Sequence, residues 1–267
     1  MNDTTRLDQA YAAMQADLED DAARLEFYER LADGELFLLL KSEVNGDHLD
    51  PEVLDLSGDE DLPPDQYVLA FDREDRLATF AEGPAPYAAL PGRVIAAMMT
   101  GSGLGLGVNL GAPSSILIPP AAVDWLAETL GPAPEEVEGQ VQSLSAPIDL
   151  PERLLKSFSE KLVTAAGIAD HATLVRATYD DGSTGLVLAF ADCVAGAQPA
   201  LARAAQEAMT FSGTETRLDV GFFVTGDEAL ARIDRVGIRF DIPKPTPTES
   251  PVRKAPGSDP DKPPILR

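Results

Sequence analysis

Residues 100–115 read Thr100-Gly-Ser-Gly-Leu-Gly-Leu-Gly-Val-Asn-Leu-Gly-Ala-Pro-Ser-Ser115, and five glycines fall between Thr100 and Gly111. Two structures compete for so much glycine: a loop that cradles a phosphate, or a strand with one bare face. A dinucleotide-binding loop needs G-x-G-x-x-G, and a Walker loop needs glycine followed by lysine and a hydroxyl residue. Counted from Gly101, Gly103 or Gly105, the third glycine of the first motif falls on Leu106, Val108 or Leu110, and there is no lysine between Lys41 and Lys156. At period two the pattern resolves. Leu104, Leu106, Val108 and Leu110 alternate with Gly103, Gly105, Gly107 and Asn109, which predicts a strand with an apolar face and a bare one. Glycine weakens a strand, so a run of it marks close approach by something else. Either a neighbouring element presses on the bare face, or a ligand or partner backbone lies there. In the second case Gly105, Gly107, Asn109 and Ser114 form the candidate binding surface.

Upstream, Leu7, Tyr11, Met14, Leu18, Ala22, Leu25 and Tyr28 recur three or four apart, predicting a helix from Thr5 that stops at Asp33-Gly34 in a left-handed cap. Glu35-Leu-Phe-Leu-Leu-Leu40 reads as a buried strand, residues 43–65 as an acidic surface loop, Tyr67–Phe71 as a strand and Arg76–Phe80 as another. Pro91-Gly92 opens a helix, Ile116–Ile118 is a strand, and Pro119-Pro120 starts a helix to Leu130. Residues 132–146 read as a linker. The second lobe has a helix at Pro151–Ala166 and strands at Thr173–Tyr179 and Gly185–Phe190, joined by Asp180-Asp-Gly-Ser183, a hairpin signal. A helix at Pro199–Met209, a strand at Thr216–Val224, a helix at Asp227–Arg232 and a strand at Arg235–Ile242 complete it.

The expected fold is therefore α/β (α+β), with two lobes of mixed sheet flanked by helices. Domains are expected at 1–131 and 147–242, with a tail at 243–267. Both lobes share an order of elements and a tetrapeptide, Val68-Leu-Ala-Phe71 and Val187-Leu-Ala-Phe190, so an internal duplication is one reading and coincidence the other. The tail has eight prolines in 25 residues, too little apolar surface to offset ordering entropy, and is expected to be disordered.

At 267 residues and 44% hydrophobic the chain can bury a sizeable core. Its formal charge is −24. Such a field repels phosphate backbones and anionic lipid, so neither nucleic acid nor a membrane surface is an expected partner. Cys193 is the single cysteine, which excludes an intrachain disulfide and a thiolate zinc site. The first residues are polar and acidic, without the pattern of a signal peptide, and a cytoplasmic location is expected.

Chemistry-bearing motifs are sparse. His48 and His171 stand apart from other ligand types, and neither accompanies a G-x-S-x-G elbow. The acidic loop Asn45–Asp65 lacks the spacing of a calcium loop. Asp192 beside Cys193 disfavours a thiolate. Trp125, among Val123 and Leu126, reads as core or interface. No catalytic residue, metal ligand or cofactor is assigned from the sequence.

Phe27-Tyr-Glu-Arg-Leu31, Glu35–Leu40, Tyr67–Phe71, Leu106–Gly111 and Ile116-Leu-Ile-Pro119, in that order, resemble the SseB family, the enhanced serine sensitivity proteins of bacteria. The resemblance covers roughly residues 20–130; Pro147 and Pro151-Glu-Arg-Leu-Leu155 resemble its C-terminal domain loosely. Where that family commonly has Asn-Pro-Gly, this chain has Asn109-Leu110-Gly111. The resemblance implies an α/β fold and a bacterial cytoplasm, and brings no catalytic residues to carry over. The expected role is a non-enzymatic binding or regulatory protein that acts through protein contacts. The alternative is a small-molecule or catalytic site in the cleft between lobes or near the glycine-rich strand.

Overall fold

The computed structural model describes residues 4–43, 49–56, 66–131 and 141–244. His48, most of the acidic loop, residues 132–140 and the tail from 245 lie outside the described residues. The leading apolar stripe forms two helices instead of one: α1 (Arg6–Ala16) and α2 (Asp21–Asp33). Asp20 caps the second by accepting from Ala22 N at 2.9 Å, and Leu18, counted in the stripe, falls in the turn and is exposed. Gly34 ends α2 in extended, not left-handed, backbone (φ −70°).

Strand β1 (Glu35–Leu39) follows, then β2 (Val53–Asp55), inside the stretch expected to be loop, and β3 (Gln66–Phe71). Arg76–Phe80, expected as a strand, belongs to helix α3 (Glu74–Phe80), which buries Leu77 against Phe71. Then come β4 (Tyr87–Pro91), α4 (Gly92–Met99), β5 (Gly105–Val108), β6 (Ile116–Ile118) and α5 (Pro120–Leu130). The first sheet runs β4-β1-β3-β5-β6, with β2 also on β3, and only the β3–β5 pair is parallel.

The expected linker contains a strand, β7 (Val141–Ser145), hydrogen-bonded into the second sheet. That lobe continues with α6 (Glu152–Thr164), β8 (His171–Tyr179), β9 (Thr184–Ala191), α7 (Gln198–Phe211), β10 (Leu218–Phe223), α8 (Glu228–Val236) and β11 (Ile238–Asp241). Its strand order is β10-β9-β8-β11, with β7 on β8 and only β9–β10 parallel. The α+β class and the two mixed sheets are as expected.

The shared tetrapeptides occupy central strands, β3 and β9, yet they do not correspond. Val68 and Ala70 face α1, α2, α4 and α5, while Leu69 and Phe71 face α3. In the second lobe it is Leu188 and Phe190 that face α6 and α7, and Val187 and Ala189 that face α8. Helix α7 connects β9 to β10, and α4 leads into β5 beside β3, so those helical faces are the equivalent ones. A one-residue offset exchanges every side chain between faces. The antiparallel edge strand also precedes the parallel partner in the first lobe (β4 before β5) and follows it in the second (β11 after β10). The repeated tetrapeptide therefore stands one residue out of phase in the two lobes and gives a duplication no support.

The helical layers of the two lobes meet face to face. Phe211 of α7 enters the first lobe's core. Around it, Lys161 Nζ reaches Asp33 Oδ2 at 2.5 Å, Glu207 Oε2 at 3.1 Å and Glu29 Oε1 at 3.6 Å. Arg93 holds Glu207 at 2.9 Å and also Asp33; Arg30 pairs with Glu160, and Arg153 donates to Ser212 O. The void beside Glu29, Ser157 and Phe211 is about 10 Å³, at most the space of one water. That void is too small for the small-molecule site considered in an inter-lobe cleft.

Candidate functional site at the ends of the parallel strands

Open sheets with a parallel pair gather loops at the carboxyl ends of those strands, where ligands commonly sit. At the ends of β3 and β5 lies a cleft of about 630 Å³, walled by Tyr11, Arg76, Phe80, Leu110 and Pro113. Its floor is a polar network built from five segments. Thr5 caps α1, accepting from Asp8 N at 3.1 Å while its own N–H donates to Asp8 Oδ2 at 2.8 Å, a capping box with aspartate in the usual glutamate place. From α3, Arg76 grips Asp8 with both terminal nitrogens, at 2.8 and 2.7 Å, and reaches Asp72 Oδ1 at 2.8 Å. Thr5 Oγ1 donates to Asp72 Oδ2 at 2.5 Å.

Asn109 ends β5 by turning into the left-handed region, φ +52°, which its short polar side chain tolerates. There its Oδ1 accepts from Asp72 N at 3.0 Å, and its Nδ2 donates to Ser114 Oγ at 3.0 Å. Ser114 Oγ donates in turn to Asp8 Oδ1 at 2.5 Å. The bare-face reading thus divides. Asn109 and Ser114 come together but are buried, as the internal side of the cleft floor. Gly105 and Gly107 lie beneath Tyr67 and Leu69, covered by the neighbouring strand and closed to any ligand. Gly103, expected in the strand, lies just before it at φ +72° with open space around it.

Burial alone would push the Asp8 carboxyl up. Hydrogen bonds from Arg76, Ser114 and Thr5, with the guanidinium charge, outweigh burial and hold it well below the usual carboxylate range. A group so depressed is a weak proton acceptor. Its folded pKa lies below its unfolded one, so the stability it lends is present above the ordinary carboxylate range and fades as pH falls through it. Asp8→Asn is expected to cost about 2 kcal/mol near neutral pH and progressively less in acid, where wild type loses the same interaction. Urea melts across that range check it; a deficit that grows on acidification would contradict the network.

The second lobe ties its parallel strands with the same device reversed. Asp192 after β9, at φ +50°, accepts from Thr225 N at 2.8 Å and from its hydroxyl, bridging to the end of β10. Nearby, His171 lies between Asp170 at 3.1 Å and Asp234 at 3.3 Å, and Thr173 also donates to Asp234. Burial and the Asp192 charge push the Cys193 thiol up. Iodoacetamide should therefore alkylate Cys193 more slowly than free cysteine at neutral pH, and Cys193→Ser should leave folding and binding unchanged. Faster alkylation would show an activated thiolate. Trp125 packs edge-on against Tyr28, ring centroids 5.2 Å apart, and stays partly exposed.

The Asp8–Arg76–Asp72–Asn109–Ser114 cluster was not assembled from sequence, because its members are up to 106 positions apart. The one local signal was the T-x-x-D spacing of Thr5 and Asp8. Among the described residues no helix is long and apolar enough to cross a membrane.

Residues 7–125 match the family model of the SseB protein N-terminal domain. The match runs from the first turn of α1 into α5 and includes Asp8, Asp72, Arg76, Asn109 and Ser114 of the polar cluster, and it supports the resemblance read from the sequence. No curated protein and no solved structure matches the chain.

Proposed function

Given a first lobe of the SseB N-terminal kind, we propose that the chain is a non-enzymatic binding or regulatory protein whose partner, another protein, docks over the cleft at the ends of β3 and β5. One observation carries the reading: the acids, base and hydroxyls of the cleft floor are spent on one another. Asp8 accepts from Thr5, Ser114 and twice from Arg76, so the group best placed for proton transfer is tied down and weakly basic. What remains for recognition is shape, an apolar wall of Phe80, Leu110 and Pro113, and a rim bearing Thr79 and Asp75. A rigid floor with such walls suits recognition of a surface more than turnover.

A second reading rests on volume: about 630 Å³ at a parallel-strand end also suits a small molecule. Affinity capture with wild type and with Thr79→Arg separates them. Thr79 is exposed on α3, so the arginine should fold normally and obstruct the mouth. A captured protein that binds wild type in direct titration and loses at least tenfold in affinity for Thr79→Arg supports the proposal. A co-purifying metabolite whose binding alone is lost favours the second reading.

A further inference from the structure

Edge strands expose unpaired backbone groups, and proteins commonly blunt them. Here the edges are treated unequally. Strand β4 ends in Pro91; β6 has three residues and runs into Pro119. On the far edge of the second sheet, β11 exposes Arg239 and Asp241, and β7 is irregular between Val141 and Ser143. Strand β10, Leu218-Asp-Val-Gly-Phe-Phe223, has neither proline nor lysine and carries one charge. Among the described residues nothing pairs with its outer side.

The backbone of β10 fixes what can pair there. Leu186 N donates to Arg217 O at 2.8 Å and Asp192 N to Phe223 O at 2.9 Å, so the odd-numbered residues bond inward to β9. By the alternation of a parallel ladder, Leu218, Val220 and Phe222 direct N–H and C=O outward. An antiparallel partner must offer outward groups in the same spacing, and a second β10 does so. When the two-fold axis passes through Val220, Leu218 lies opposite the partner's Phe222 and Val220 opposite the partner's Val220. All three outward residues of each copy are then used, giving about six hydrogen bonds.

Side chains agree with that register. Leu218, Val220 and Phe222 lie on the face packed toward α6 and α7, and their order reads as apolar in either direction. On the other face Asp219 lies opposite the partner's Gly221, so like charges are not set against each other. Arg217 neutralises Asp219 at 2.8 Å and stacks on Tyr179 at 4.3 Å; across the axis it meets the partner's Phe223. The strand is a locally neutral strip in a chain of net charge −24, and that neutrality lets two copies approach here.

We propose that two copies of this chain associate through β10 in an isologous antiparallel pair centred on Val220, joining their second sheets into one. This stands independently of what the first lobe's cleft binds. Sedimentation of the full chain over a dilution series should show the mass of two chains falling to one. Val220→Pro removes an outward N–H that no bond among the described residues uses, and proline is accepted at edges, so the variant should stay folded by circular dichroism and sediment as a monomer. If that variant unfolds, amide exchange on wild type decides. In concentrated protein Leu218, Val220 and Phe222 should exchange at least tenfold more slowly than after dilution. A wild-type monomer at every concentration overturns the proposal, as does a dimer whose three outward amides exchange freely.

Discussion

Lys161→Met is expected to lower stability by about 3–5 kcal/mol, the scale on which removing one partner of a buried ion pair acts. The Lys161 side chain is 6% exposed and faces Glu29, Asp33 and Glu207. Methionine fills much of the same volume, so the loss is chiefly charge: Asp33 and Glu207 are left with Arg93, and among the described residues Glu29 keeps Ser157 and the more distant Arg30. Burial already raises the Glu29 pKa, with Lys161 the main opposing influence, and deleting that cation raises it further. The sign follows from linkage. A carboxyl whose folded pKa exceeds its unfolded one destabilises the fold when ionised, and that cost disappears as pH falls through the folded value. The Lys161→Met deficit should therefore narrow on mild acidification, and adding Glu29→Gln should recover part of it at neutral pH. Because these side chains join α2, α4, α6 and α7, the variant should also melt in two steps where wild type melts in one. Denaturant melts followed at two pH values would refute this picture if the deficit stayed below 1 kcal/mol or did not change with pH.

Most of the architecture was legible because it rests on local pattern. The continuous apolar runs of β1, β3 and β9 and the Asp-Gly turn between β8 and β9 state strand and hairpin without reference to anything distant. The misreadings share a cause. Residues 76–80 offer only Leu77 and Phe80 to a pattern that fits either period, and the packing of Leu77 on Phe71 decided for helix. β2 and β7 are short edge strands in polar surroundings, formed because β3 and β8 present free ladders, something no local window contains. The Val-Leu-Ala-Phe pair left its question open for a different reason: all four residues suit either face of a doubly covered sheet, so identity says nothing about which face each meets. The cleft floor was hidden by distance. Thr5 and Asp8 were readable as a helix cap, but their bonds to Asp72, Arg76 and Ser114 exist only once β3 and β5 lie side by side.

Gly105→Val tests how β3 and β5 lie side by side, and its expected cost is about 3 kcal/mol or more. A Cβ on Gly105 would fall 2.5 Å from two ring carbons of Tyr67 and 2.7 Å from Ile118 O. Neither neighbour yields cheaply: Tyr67 and Ile118 are each 1% exposed, and the second contact is backbone, pinned by pairing between β5 and β6. Overpacking a full interior typically costs 1–3 kcal/mol, and valine adds two methyl groups beyond the first clash. For a chain of this size the melting temperature should fall by about 10 °C, at roughly 2–4 °C per kcal/mol. Gly105→Ala should fall between valine and wild type. Gly103→Ala makes the comparison specific, since Gly103 has open space around it and only its φ of +72° resists a side chain, a strain of about 1–2 kcal/mol. Any loss of binding in Gly105→Val should track unfolding, because Tyr67 covers the glycine and no ligand reaches it. An unchanged midpoint, with binding lost, would place the glycine face open to a ligand and overturn the packed arrangement of β3 against β5.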